Sequence, residues 1–366
     1  MGEDRSVSRA LLVAAVLAAF GLSATPAGAP LLDFQSGAPT VRQLVGQKLV
    51  VSMNGTTPSG SLLSRAHYGT IGGVIIHSTN FTSAANLRTI AGRLQRAAAN
   101  GGQPRLLIAV DQEGGPVKTI SWIPPTISPR RMGELGSSHV AHRQGRRTGG
   151  ALRDLGVNLD LAPVADVPAS TSSFMYLQGR TWSFGAGTTS RLANAFASGL
   201  ADAGALASMK HFPGLGFARL NTDTNVVHIA ATKSQLQPGL KPYQAAVTRG
   251  VPLVMLSNAV YDAYDRGHAA GWSRVIGSEL LRGQLGFRGV TITDSLDGAA
   301  HARGISANPL AIRAARAGTD LLLLTGSEAA SRSVYKSLLD AVSAGRISVA
   351  RLQASYQRIL ALKAGL

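Results

Sequence analysis

Cysteine is absent from all 366 residues. That excludes disulfide staples, thiolate nucleophiles, cysteine-held metal clusters and a lipid-modified N-terminal cysteine. A chain without staples draws its stability from its core, and 45% hydrophobic against 15% charged residues is the balance of a folded protein with one. Carboxylates are scarce, with 19 Asp and Glu against 36 Lys and Arg and a formal charge of +17. The basic side chains are scattered singly, and aromatics make up only 5%. That pattern argues against a nucleic-acid partner and suits an anionic polymer such as cell-wall material. No His-Glu-x-x-His occurs and the 8 His are dispersed, so neither a catalytic metal nor another cofactor is expected. Gly-x-Ser-x-Gly is also missing, which removes a serine hydrolase of the nucleophile-elbow kind.

Long apolar runs are missing except one. Arg5 and Arg9 precede the run Leu11 to Leu22, and Ala27-Gly28-Ala29 follows it. A basic start, a short apolar stretch and small residues read as a secretory signal peptide over residues 1–29; the run is too short for a membrane span. A leader over residues 30–40 follows, and the mature chain is expected outside the cell or in its envelope.

What the chain does have is repetition of one unit. Short runs rich in Val, Ile and Leu occur at Lys48–Met53, Gly73–His77, Leu106–Asp111, Asn158–Ala165, Ala205–His211, Leu253–Ser257, Val290–Asp294 and Asp320–Thr325. They are apolar on both faces, as in a parallel sheet covered on both sides. Helical patterns lie between them, including Ala84–Asn100, His139–Leu155, Thr189–Ala203 and Pro309–Ala317, and Arg351–Leu366 closes the chain. Eight strand-then-helix units predict an α/β fold, a single-domain (β/α)8 TIM-type barrel over residues 41–366. A monomer is the default for such a barrel.

Barrel chemistry sits at the C-terminal strand ends. Those ends deliver Asn54, His77, Asn80, Asp111-Gln112-Glu113, Asp166, Lys210-His211, Ser257-Asn258, Asp294-Ser295, Thr325 and Ser327. Ser295 and Asp297, just ahead of a helix, read as caps. Two chemistries fit the rest. Lys210 as a desolvated amine gives a Schiff-base lyase. Asp294 as nucleophile, with Asp111, Gln112, Glu113, Lys210 and His211 holding hydroxyls, gives glycoside hydrolysis. Trp182 and Phe184 either stack on a sugar ring or pack the loops.

The motifs Asp111-Gln112-Glu113-Gly114-Gly115, Asn158-Leu159-Asp160-Leu161-Ala162-Pro163-Val164-Ala165-Asp166, Lys210-His211-Phe212-Pro213-Gly214 and Thr293-Asp294-Ser295-Leu296 stand in this order. In that order the chain resembles glycoside hydrolase family 3, in particular its single-barrel bacterial β-N-acetylhexosaminidases. The resemblance runs from about Val41 to the C-terminus. It implies a retaining enzyme acting on terminal β-linked N-acetylglucosamine in a glycan or cell-wall fragment. It implies Asp294 as nucleophile, and Asp111, Arg180, Lys210 and His211 as sugar-binding residues.

The same resemblance breaks at the proton donor. The branch carries a His in an Asp-Ser-His triplet, and this chain reads Asp223-Thr224-Asn225. Leu215 and Pro116 also depart from the pattern. Asp223 and His228 are the two nearby acid/base candidates, and His228 also reads as the first residue of an apolar stretch. The alternative to an active hydrolase is a weak or non-catalytic sugar-binding relative in the cell envelope.

Overall fold

Eight short strands fall on the eight apolar runs. They are β1 (Leu49–Ser52), β2 (Gly73–Ile75), β3 (Leu107–Val110), β4 (Leu159–Asp160), β5 (Leu206–Phe212), β6 (Leu253–Leu256), β7 (Val290–Thr293) and β8 (Leu322–Leu324). The computed structural model describes residues 38–366; the expected signal peptide and residues 30–37 of the leader lie outside them. Every residue of these strands except Leu206 is buried.

Each strand pairs in parallel with the next along the chain from β1 to β7, and β1 pairs with β8. A parallel bridge between Ile292 and Leu321 joins the last edge and closes the ring. Parallel neighbours need crossovers, and helices supply them outside the ring. Ala84–Asn100, Ser138–Asp154, Ala186–Asp202, Lys233–Thr248, Ala307–Ala317 and Glu328–Ser343 are the main ones. Ser83, Ser137, Thr232 and Ser327 cap four of them, accepting a backbone amide at the first turn. One crossover departs from the pattern: Val275–Gln284 winds as a π-helix. No helix among the described residues is long and apolar enough to cross a membrane.

The barrel interior is a separate apolar cluster built from alternate strand residues, among them Leu107 and Ala109 of β3, and Val290 and Ile292 of β7. Side chains on a strand alternate faces, so each inward row continues two residues on. Past Leu107 and Ala109 comes Asp111. Past Val290 and Ile292 comes Asp294. On β5 the row is Leu206, Ser208 and Lys210. The period that fills the barrel thus aims these three polar groups into its mouth.

The opposite end is plugged. Ile359 and Leu362 of the last helix, Val349–Lys363, join the interior cluster. Three buried polar groups hold that helix. Lys48 Nζ donates to Thr319 O and Ser355 Oγ, both at 2.8 Å. Lys363 Nζ donates to Gln47 Oε1 and Gly72 O, both at 2.7 Å. Asp320 takes Arg282 at 2.6 Å and Arg358 at 2.8 Å.

Two small additions flank the mouth. Gln112–Gly114 and Val117–Lys118 form a hairpin whose turn needs Gly114 and Gly115, with φ of 94° and 62°. His228–Ile229, Val260–Tyr261 and Asp265–Ala269 form a three-stranded sheet.

Candidate active site

A cavity of about 410 Å³ opens at the C-terminal mouth. One wall carries Asp111, Glu113, Arg180, Lys210 and His211; Asp223, Asp294, Ser295 and Gly298 also line it, and Met175, Leu215 and Met255 supply apolar surface.

The charged wall is a chain of ion pairs. Lys210 Nζ lies 2.6 Å from Asp111 Oδ1 and 2.7 Å from Glu113 Oε1. Arg180 grips Glu113 with two parallel bonds, Nε to Oε2 at 2.8 Å and Nη2 to Oε1 at 2.6 Å. Burial pushes the Glu113 carboxyl up, but the Lys210 and Arg180 charges outweigh it and hold it down at about 2. Burial pulls the Lys210 ammonium down, yet Asp111 and Glu113 prevail and hold it above the ordinary lysine range. A Schiff base needs a neutral amine, so an ammonium paired with two carboxylates argues against the lyase reading.

Beneath this wall lies Asp160, whose Oδ1 accepts from the Gln112 amide at 3.0 Å. Burial pushes its carboxyl up to about 8. Beside it, Asp166 orders the end of β5. Its Oδ2 pairs with His211 Nδ1 at 2.8 Å, and its Oδ1 accepts the His211 and Leu215 amides at 3.2 and 2.8 Å. The His211 ring is thereby oriented toward the cavity.

Asp294 Oδ1 accepts the Ser295 amide at 2.7 Å. Ser295 Oγ in turn accepts the Gly298 amide at 3.0 Å and caps the helix Leu296–His301. Asp297, expected as a cap, stands instead in that helix's first turn. Asp223 shares the cavity with Asp294. Burial and the neighbouring Asp294 charge push the Asp223 carboxyl up to about 6.

Several expected residues go elsewhere. His228 does not line the cavity. Its neighbours Val227 and Ile229 take the buried face, so strand alternation turns His228 outward, where Nδ1 pairs with Asp262 at 3.1 Å. Asn225 spends its amide on its own turn, donating to Asn221 O at 3.2 Å and Thr224 Oγ1 at 2.9 Å. Trp182 is a core residue: its Nε1 donates to Val164 O at 2.7 Å and its ring meets Phe196 edge-on. Phe184 packs beside Tyr176 on the surface.

Two carboxylates of the motifs, Glu113 and Asp166, have structural partners that the sequence does not show. Glu113 follows Asp111 by two residues, the strand period that sends both to one side. Asp166 gives no local signal of its partner. Among the described residues no three His, Asp or Glu side chains gather as a metal-ligand set.

Fold and site together define a glycoside-hydrolase barrel. The chain belongs to glycosyl hydrolase family 3, whose N terminal domain matches residues 40–362. It is 33% identical over 330 residues to an uncharacterized secreted glycosyl hydrolase of Arthroderma benhamiae, covering 88% of this chain and 92% of that one. Among solved structures it is similar to a β-N-acetylhexosaminidase of Beutenbergia cavernae, with a TM-score of 0.81 and 30% identity over 89% of this chain and 99% of that one. A family 3 β-N-acetylglucosaminidase of Paenibacillus sp. gives a TM-score of 0.85 and 30% identity over 90% of this chain, which spans 63% of that protein.

Proposed function

We propose that this chain is a secreted retaining glycosidase, a single-barrel monomer over residues 41–366, that releases terminal β-linked N-acetylhexosamine residues. Asp294 is the nucleophile and Asp223 the acid/base. The observation that carries the reading is the pair itself: two carboxyls share one cavity, and burial with the Asp294 charge keeps Asp223 protonated into the weakly acidic range. Pairs of titratable groups driven apart in this way mark acid and nucleophile roles.

The steps follow. Asp294 attacks the anomeric carbon as the glycosidic bond breaks, and Asp223 gives its proton to the departing oxygen. Water then attacks the glycosyl–Asp294 ester, and the ionised Asp223 takes its proton, so the anomeric configuration is retained. Asp111 and His211 hold the sugar directly, and Lys210 and Arg180 act on it through Asp111 and Glu113. The names of the Beutenbergia and Paenibacillus proteins support N-acetylhexosamine as the sugar, and the Arthroderma name supports export. The excess of basic side chains suits an anionic cell-wall polymer as the surrounding material.

A slowed 5-fluoro analogue of an aryl β-N-acetylglucosaminide tests this. Mass spectrometry should find the sugar on the peptide holding Asp294, and NMR should show the β-anomer as first product. Release of the α-anomer, turnover without an adduct at Asp294, or sugar binding with no turnover at all each overturns it.

A further inference from the structure

We infer that Gly298 is a positioning residue that seats the acid/base carboxyl beside the nucleophile. This rests on the reading of Asp223 as that acid/base. A methyl group placed on Gly298 would overlap Asp223 Oδ1 and come within 2.7 Å of Asp223 Cγ and 2.9 Å of its Cβ. The carboxyl therefore lies directly on the glycine's backbone. Gly298 sits inside the helix Leu296–His301 and shows no left-handed φ. Its conformation suits any residue, and glycine is a poorer helix former than alanine. Space for Asp223 is what requires the missing side chain.

The helix is held by further contacts. Asp297 is packed as tightly against Gly326, where an added methyl would overlap Asp297 Oδ1 and reach within 2.9 Å of Cγ. At its start, Ser295 caps it through the Gly298 amide and donates its own amide to Asp294. One short helix thus fixes the nucleophile at its first turn and receives the acid on its glycine. Retention needs the two carboxyls roughly 5–5.5 Å apart, and a side chain at position 298 would force Asp223 out of its present place in that pair.

Packing on glycine also helps the carboxyl keep its proton. Asp223 Oδ1 is buried with no hydrogen-bond partner, which disfavours the ionised form. The charged groups facing Asp223 are Asp294 from β7, His211 from β5, Arg180 and Asp111. Displacing the carboxyl toward solvent would return it to ordinary aspartate behaviour.

The test is Gly298→Ala assayed on aryl β-N-acetylglucosaminides of graded leaving-group acidity. Departure of dinitrophenolate needs little protonation, so kcat/KM there should stay within about threefold. For alkyl or methoxyphenyl leaving groups it should fall by about 10²-fold, within the usual worth of general acid catalysis. The pH limb set by Asp223 should move toward lower pH. In an Asp223→Gly background, adding Gly298→Ala should change activity less than twofold, because the overlap is gone. That double variant is also read if Gly298→Ala alone fails to fold: folding rescued by Asp223→Gly supports the seat, and folding still lost overturns it. An equal loss on all leaving groups, or none, also overturns it. Asp223→Asn separates the two readings. If it shows no leaving-group selectivity, the acid/base assignment itself fails; if it is selective while Gly298→Ala is not, only the seat fails.

Discussion

Lys210 and Glu113 face each other at 2.7 Å with side chains only 2% and 1% exposed. Around them the charges balance locally: Lys210 meets Asp111 and Glu113, and Arg180 meets Glu113. Of the four, Asp111 keeps the most open side chain, at 33%. Under the proposed function, the sugar would meet a carboxylate held rigid by a sealed ion pair. Such preorganised groups need no reordering as charge develops in the transition state.

Breaking this pair should be costly. Lys210→Met leaves Glu113 with Arg180 alone and Asp111 without its cation. Loss of one partner from a buried pair is typically worth about 3–5 kcal/mol. Chemical denaturation should show a loss of that size, together with a raised KM in whatever protein folds. Retained stability would mean that Asp111 and Glu113 repartner with Arg180.

Asp294→Asn should abolish turnover without unfolding the chain. Its carboxylate ends an inward strand row and contributes nothing to the barrel interior below it. We expect kcat to fall by at least about 10³-fold, with a melting temperature within a few degrees of the parent. His228→Ala is the control. It points outward to Asp262, so the pH–rate profile should stay unchanged.

Asp223→Asn should lower kcat/KM for poor leaving groups by about 10²–10⁴ and spare the activated ones. The parent's profile should lose activity as pH rises through about 6, where Asp223 ionises. Stability runs the same way. The folded value lies above the ordinary 3.8, so this group's contribution is complete below about 3.8 and is lost as pH rises through about 6. Relative to the parent, Asp223→Asn should therefore be more stable at pH 7.5 than at pH 4, as read by thermal melts. An equal difference at both values would contradict the buried, proton-holding carboxyl.

Lys363 makes the opposite prediction at the barrel floor. Burial holds its amine down at about 7, against an ordinary 10.5. Between those values the unfolded chain binds a proton that the folded chain does not. Stability should rise with pH across that window, by up to about 1.4 kcal/mol per pH unit for one group. Lys48, lowered by burial to about 8, adds to the slope above that value. Urea midpoints at pH 7, 8.5 and 10 should climb less steeply in Lys363→Met than in the parent, and parallel slopes would refute the assignment.

The barrel was legible because one physical rule governs it: strands covered on both faces are apolar throughout. Eight runs therefore stood out, and each became a strand. Helices such as Ala84–Asn100 matched to the residue because an amphipathic stripe and a serine cap mark them locally. The π-helix Val275–Gln284 was not legible, since its altered winding follows from packing and not from a local signal.

At the site the division is similar. Asp111, Lys210 and Asp294 could be placed from sequence because strand alternation carries each inward row to the mouth. His228 could not be judged that way, because its outward turn depends on pairing with Val260 in a sheet that no local pattern announces. Trp182 in the sequence suits a sugar platform or the core equally, and its contacts with Val164 and Phe196 make it core.

Sequence by itself determined the fold class, the strand ends and the residue types offered there, because periodicity and burial are local properties of the chain. Tertiary structure alone decided which of those groups meet. The Glu113–Arg180 clamp, the Asp166 support for His211 and the seating of Asp223 on Gly298 each join segments far apart in the chain. A carboxyl's charge state follows from those neighbours and its burial, and neither is written at its own position.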